Sequence, residues 1–160
     1  MFKPLVITTC AVLAFNLFMF KESEPLTVED YAAQVNLTEE EFVLFSSVVE
    51  AESNRQAPED GELTTQGRIF IALTIWNRIN DSRWRSTVEG VLTQRGQFST
   101  VRNGYSVTER SEWSDIAVVE AYNWIEQGDA PNVQFFNCRY YFSGVEPYDY
   151  VGGNYFSLGV

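Results

Sequence analysis

Histidine is absent from all 160 residues. Its absence excludes Ser-His-Asp and Cys-His catalysis, histidine-containing zinc sites and imidazole acid–base chemistry. Lysine occurs only as Lys3 and Lys21, so residues 22–160 can form neither a Ser–Lys dyad nor a Schiff base. Cysteine is nearly as scarce. Of Cys10 and Cys138 only the latter lies beyond the first 21 residues, and no internal disulfide can staple that part of the chain. Positive charge is thin as well: in residues 22–160 nine arginines stand against 22 acids, a net −13. A nucleic-acid partner calls for the opposite field. What remains for proton transfer is Asp, Glu, Tyr and Cys138, so an enzyme built on this chain is expected to use carboxylates.

The length suits one domain with a single hydrophobic core. The first 21 residues stand apart. Lys3 precedes the uncharged, mostly apolar run Pro4 to Phe20, and Lys21 and Glu22 follow it. Seventeen residues is short for a membrane span and long for a signal-peptide core. No small-x-small cleavage site stands between Phe18 and Glu24, which favours an uncleaved anchor over a removed signal. Lys3 ahead of the run and acids behind it place the domain outside the cytoplasm, membrane-anchored or secreted. The expected organisation is a signal-anchor or signal peptide over 1–21, a linker and short helix over 22–37, and the folded domain over 38–160.

The most informative stretch is Glu41 to Arg55, EFVLFSSVVEAESNR. Thr38 and Glu41 make a T-x-x-E capping box, so a helix is expected from about residue 39 to 53. At 100° per residue Phe42, Phe45, Val48 and Val49 form one apolar stripe, and Glu52 falls inside it. Glu50 falls well off it. A carboxylate on a core-facing surface is costly to ionise, which suits a proton donor near neutral pH. The competing reading is a residue at a fraying helix end that swings to solvent.

Around this helix the chain reads as mostly helical. Thr27 and Asp30 can cap a short helix to about Val35, ended by Asn36. A polar loop holding Pro58 and the Asp60-Gly61 pair is expected before a helix that starts near Thr65. Within it RIFIALTIWNRI is apolar almost all round, as a central buried helix requires. Asn77 and Arg78 stand at its end, as caps paired with acids or as positioning groups. Ser86 and Glu89 form a second capping box over TVEGVLTQ. In the loop RGQFSTVRNG, Gln97 and Ser99 flank Phe98; they can hydrogen-bond a sugar, or Phe98 can simply plug the core. A further amphipathic helix runs from about Ser114 to Gln127 and stops at Gly128-Asp129. The last thirty residues turn aromatic and β-branched, including Tyr140, Tyr141, Tyr148, Tyr150 and Tyr155. They read as a β-hairpin or small sheet after a run of helices, hence an α+β domain.

Taken in order, VVEAESN, ALTIWNRIND, STVEGVLTQRGQFSTV, AYNWIEQGDAP and FFN…GGNYFS resemble the spore-cortex-lytic, or SleB-type, cell-wall hydrolase family over most of residues 40–157. That family's A-E-A-R-G-E pattern, a catalytic glutamate at a helix end, falls on Ala51-Glu52-Ser53-Asn54-Arg55-Gln56. The glycine and second acid are missing here. The resemblance implies a lysozyme-like, mostly helical domain acting on peptidoglycan. It also implies cleavage of the N-acetylmuramic acid–N-acetylglucosamine bond by a lytic transglycosylase with Glu52 as acid and base. Asn77, Gln97, Ser99, Asn137 and Tyr155 would hold the glycan, with no cofactor or metal. Two alternatives stay open: a muramidase that activates water with Glu50, Asp60 or Glu62, and a wall-binding scaffold without activity. The expected partners are peptidoglycan and, through residues 4–20, a membrane, but no nucleic acid.

Overall fold

A computed structural model describes residues 25–53, 61–98, 101 and 109–159, with only the backbone of 61–64. The apolar run over 4–20 lies outside these residues. Among the described residues no helix is long and apolar enough to cross a membrane.

Among the described residues five helices lead into one small sheet. Helix α1, Val28–Gln34, begins at the expected capping box of Thr27 and Asp30. It ends where Asn36 turns left-handed at φ 56°, a conformation asparagine tolerates. Helix α2, Glu39–Ser53, opens on the second box. The Thr38 backbone N–H donates to Glu41 Oε2 at 3.1 Å, and the Glu41 N–H donates to Thr38 Oγ1 at 3.2 Å.

Helix α3, Gly61–Ile79, is the axis of the domain. It packs against α2, the later helices and the sheet, and every side chain from Phe70 to Trp76 is buried. Its hydroxyl and indole are satisfied internally: Thr74 Oγ1 donates to Phe70 O at 2.9 Å and Trp76 Nε1 to Val118 O at 3.1 Å. The start at Gly61 corrects the expected one near Thr65. The Asp60-Gly61 pair had been read as a turn, but nothing in Glu62 to Gln66 opposes a helix, and the backbone is already helical there.

Helix α4, Val88–Leu92, starts one residue later than its apparent capping box implies. Thr87, rather than Ser86, is the N-cap, and its Oγ1 accepts from Gly90 N at 3.0 Å. Helix α5, Glu112–Gln127, is capped by Ser111 and stopped by Gly128 at φ 84°.

Strands β1 (Val133–Asn137), β2 (Pro147–Val151) and β3 (Asn154–Leu158) form an antiparallel sheet in the order β1-β3-β2. Gly152 and Gly153 join β2 to β3 with φ of 55° and 79°, the sign that a two-residue hairpin turn needs at both positions. That turn sits on α3: a Cβ at Gly67 would lie 2.9 Å from Gly152 Cα. Phe136 and Phe156 are register partners whose rings pack toward Phe98 and Phe70. The expected α+β class, with a small C-terminal sheet after a run of helices, is therefore the observed one.

Candidate active site

Helix α2 carries the two acids on different faces. Phe42, Phe45, Val48 and Val49 are all fully buried, so the apolar stripe is the core face. Glu52 continues it in the last turn and is half-buried. Ser53 Oγ closes that turn by donating to Glu50 O at 2.9 Å.

A second stripe, Ser46, Glu50 and Ser53, faces another way. Ser46 Oγ donates to the buried Asp115 of α5 at 2.6 Å, and Arg110 pairs with the same carboxylate. Glu50 Oε2 accepts from the hydroxyls of Ser111 and Ser114. Its Oε1 meets Arg68 Nη2 of α3 at 3.4 Å, with only 12% and 10% of the two side chains exposed. Both carboxylates lie at the N-terminal turn of α5, where backbone N–H groups and the helix dipole favour negative charge. This clasp was not expected. Glu50 lies off the apolar stripe and is expected, in the muramidase alternative, as a water-activating acid, whereas the repeating polar positions 46, 50 and 53 mark a second buried interface.

Asn77 and Arg78 do not pair with acids among the described residues. Asn77 Nδ2 donates to Pro131 O at 3.0 Å and to Val133 O at 2.9 Å, fastening the end of α3 to the start of β1. Arg78 is 4% exposed and donates through Nε to Gln134 O at 2.8 Å. Its guanidinium carbon lies 4.4, 5.4 and 5.9 Å from the ring centres of Trp84, Phe98 and Phe135. Burial lowers its pKa to about 10, so it stays charged at neutral pH and its charge faces ring π-clouds. Phe98 is thus the core plug that one of the two readings of its loop expected.

Beside Arg78, the buried Gln134 amide makes four bonds. Its Oε1 accepts from Trp84 Nε1 at 3.1 Å and Arg83 Nη2 at 3.2 Å. Its Nε2 donates to Asp81 Oδ2 at 2.8 Å and Asn132 Oδ1 at 3.0 Å. The bonds from Arg83, and then from Gln134, hold the Asp81 carboxyl well below the usual carboxylate range.

On the sheet, Tyr150, Tyr155 and Asn137 are register partners across the three strands and so share one face. Tyr155 lies 4.5 Å from the Tyr150 ring and 5.0 Å from Tyr141. Asn137 Oδ1 accepts from Arg139 N at 2.8 Å. Gln97 is apart from this row. It lines a cavity of about 330 Å3 together with Trp84, Gln94 and Phe135. Phe135 precedes Asn137 by two residues on β1, so the cavity and the tyrosine row are neighbours along that strand. The α2 helix packs against α4, and the chain leaving α4 makes the Gln94–Gln97 turn. Ser99, Asp60 and the Glu62 side chain lie outside the described residues.

The fold is that of two SleB catalytic domains. The catalytic domain of the Bacillus cereus SleB protein superposes with a TM-score of 0.59 at 22% identity, covering 75% of this chain and 91% of that one. The catalytic domain of the germination-specific lytic transglycosylase SleB from Bacillus anthracis gives 0.56 at 19%, covering 75% and 95%. At such identities the likeness is one of fold. No curated protein matches the chain in sequence. The family described as Cell Wall Hydrolase matches residues 62–151, more than half of the chain. The protein belongs to this cell wall hydrolase family. The matched span holds Asn77, Gln97, Ser99 and Asn137; Glu52 and Tyr155 lie outside it.

Proposed function

We propose that the protein cuts the β-1,4 bond between N-acetylmuramic acid and N-acetylglucosamine in peptidoglycan, acting outside the cytoplasm as a lytic transglycosylase. Membership of the cell wall hydrolase family is the observation that carries this reading, because it supplies the substrate class. The acid is assigned to Glu52, which continues the buried stripe of α2. It protonates the glycosidic oxygen as the C1–O bond breaks. The resulting carboxylate then takes the proton of the muramoyl C6 hydroxyl, whose oxygen closes on C1 to leave a 1,6-anhydro end. One carboxyl group serves as acid and then as base.

The water-using alternative needs a second carboxylate across the scissile bond. Glu50 suits that part poorly, since its oxygens already accept from Arg68, Ser111 and Ser114. Asn137 and Tyr155 are assigned to the glycan from their shared sheet face. Asn77 would act by holding residues 131–133, because both its amide protons are taken by backbone carbonyls. Ser99 is kept as a glycan ligand on the family resemblance alone, and residues 4–20 as the membrane attachment.

The test is to incubate the protein and its Glu52→Gln variant with purified peptidoglycan and weigh the soluble products. Anhydro-muropeptides from the wild type alone support the scheme. Products heavier by one water would point to a muramidase, and equal release by both proteins would remove Glu52 from the mechanism.

A further inference from the structure

We propose that the cavity between the Gln94–Gln97 turn and β1 is a subsite for the acetamido group of an N-acetylhexosamine. The inference rests on the peptidoglycan reading above and adds a site that recognises one substituent of the sugar. Its volume, about 330 Å3, falls within the range of small-ligand sites.

Two of its walls are aromatic. Trp84 and Phe135 meet edge to face, with centroids 6.0 Å apart and planes at 61°. Both are braced by the Arg78 guanidinium, and Trp84 is also tied through its indole N–H to Gln134. These rings therefore hold their positions without help from a ligand. Arg83 lines the cavity too, but its charge is met by Asp81 through Nη2 at 2.6 Å. Gln134 also lines it, and its amide is spent on four internal bonds.

Two carboxamides remain. Gln97 N donates to Gln94 O at 3.1 Å, and Gly96 takes φ 82° between them, so one tight turn sets both side chains against the same cavity. Gln94 Oε1 is shielded from solvent and has no hydrogen-bond partner among the described residues. A buried acceptor left unpaired costs free energy, which a ligand donor would recover. The lining thus offers a neutral amide donor–acceptor set beside apolar rings. An acetamido group matches it: its N–H donates to a glutamine oxygen, its C=O accepts from a glutamine NH2, and its methyl rests on Trp84 and Phe135. A free amine in its place would bring a charge and no methyl.

The probes are tetra-N-acetylchitotetraose and the same tetramer fully deacetylated, titrated into the full-length protein and its Glu52→Gln variant. The readout is the Trp84 indole N–H resonance, assigned by its loss in Trp84→Phe. The net charge of −11 favours the cationic deacetylated sugar at long range, so a preference for the acetylated one must arise locally. The acetylated tetramer should shift the Trp84 signal and bind about tenfold more tightly than its partner, the scale of one to two hydrogen bonds. Gln94→Leu keeps the side-chain bulk and removes the unpaired acceptor; it should weaken acetylated binding about tenfold while the melting temperature holds or rises. Equal binding of the two sugars, an unmoved Trp84 signal, or unaltered affinity in Gln94→Leu would overturn the subsite. Selective binding in a protein whose Glu52→Gln variant still cuts peptidoglycan would keep the subsite and refute the catalytic assignment.

Discussion

Two faces of one helix turn carry acids with opposite fates. On one face of α2, Glu50 enters a polar seam and its oxygens are taken by an arginine and two serine hydroxyls. On the other, Glu52 continues a stripe whose four apolar members are fully buried. The first environment holds the carboxylate in place through three side-chain donors. The second sets a half-buried carboxyl in line with apolar surface at the helix end, the position that supports the proposed acid–base role. Two residues of separation, about 200° around the helix, thus put one acid in a polar seam and the other on the core-facing stripe. The clasp also ties the last turn of α2 to α5.

The comparison breaks most sharply by replacing each acid in turn. Glu52→Gln should lower the rate of muropeptide release by about 10²–10⁴-fold, the scale of a lost general acid–base, with a melting temperature close to wild type. Glu50→Ala should do the reverse. It removes the carboxylate that Arg68 meets, and Arg68 Nε already lacks a hydrogen-bond partner among the described residues. Losing one partner of such a pair costs about 3 kcal/mol, the lower end for buried pairs because this one keeps slight exposure. Urea unfolding would read that loss, while activity per folded molecule at low temperature should stay within a few-fold. Comparable activity losses in the two variants, with intact folds, would dissolve the distinction.

Which parts of this arrangement were legible in the sequence follows from how far each signal reaches. Capping boxes at Thr27-Asp30 and Thr38-Glu41, the stop at Gly128 and the buried α3 are written in neighbouring residues, and the structure has each. The stripe that ends in Glu52 is equally local. The clasp is not local, because Glu50 meets partners 18, 61 and 64 residues away. Apolar periodicity finds core faces and passes over a polar stripe that pairs with another. Gln134 is a similar case: it looks like an ordinary strand residue, yet it gathers Asp81, Arg83, Trp84 and Asn132. The same limit misled the reading of Asn77 and Arg78, whose partners are carbonyls and rings far along the chain rather than acids.

Smaller effects sharpen the contrast at its edges. Gly67→Ala adds a methyl 2.9 Å from Gly152 Cα, one residue before the clasp arginine. Alanine gains about 1 kcal/mol in helix propensity over glycine, but the new contact is with backbone and cannot be relieved by a rotamer. Overpacking of this kind costs roughly 1–3 kcal/mol, so the variant should melt below wild type; a higher melting temperature would show that the hairpin yields.

Asp81 provides the mildest test, a surface carboxylate held by donors as Glu50 is, but open to water. Its folded pKa is depressed, first by the Arg83 bonds and then by Gln134. The contribution is therefore complete above the ordinary Asp value, about 3.9, and is lost as pH falls through the lower folded value. A carboxyl-carbon NMR titration should give Asp81 a midpoint below the ordinary Asp value, and Gln134→Leu should move it upward. The same variant frees the Trp84 indole N–H, so that resonance should shift in parallel. An unmoved Asp81 midpoint would mean that Arg83 alone sets the charge and that Gln134 serves only the wall behind Trp84.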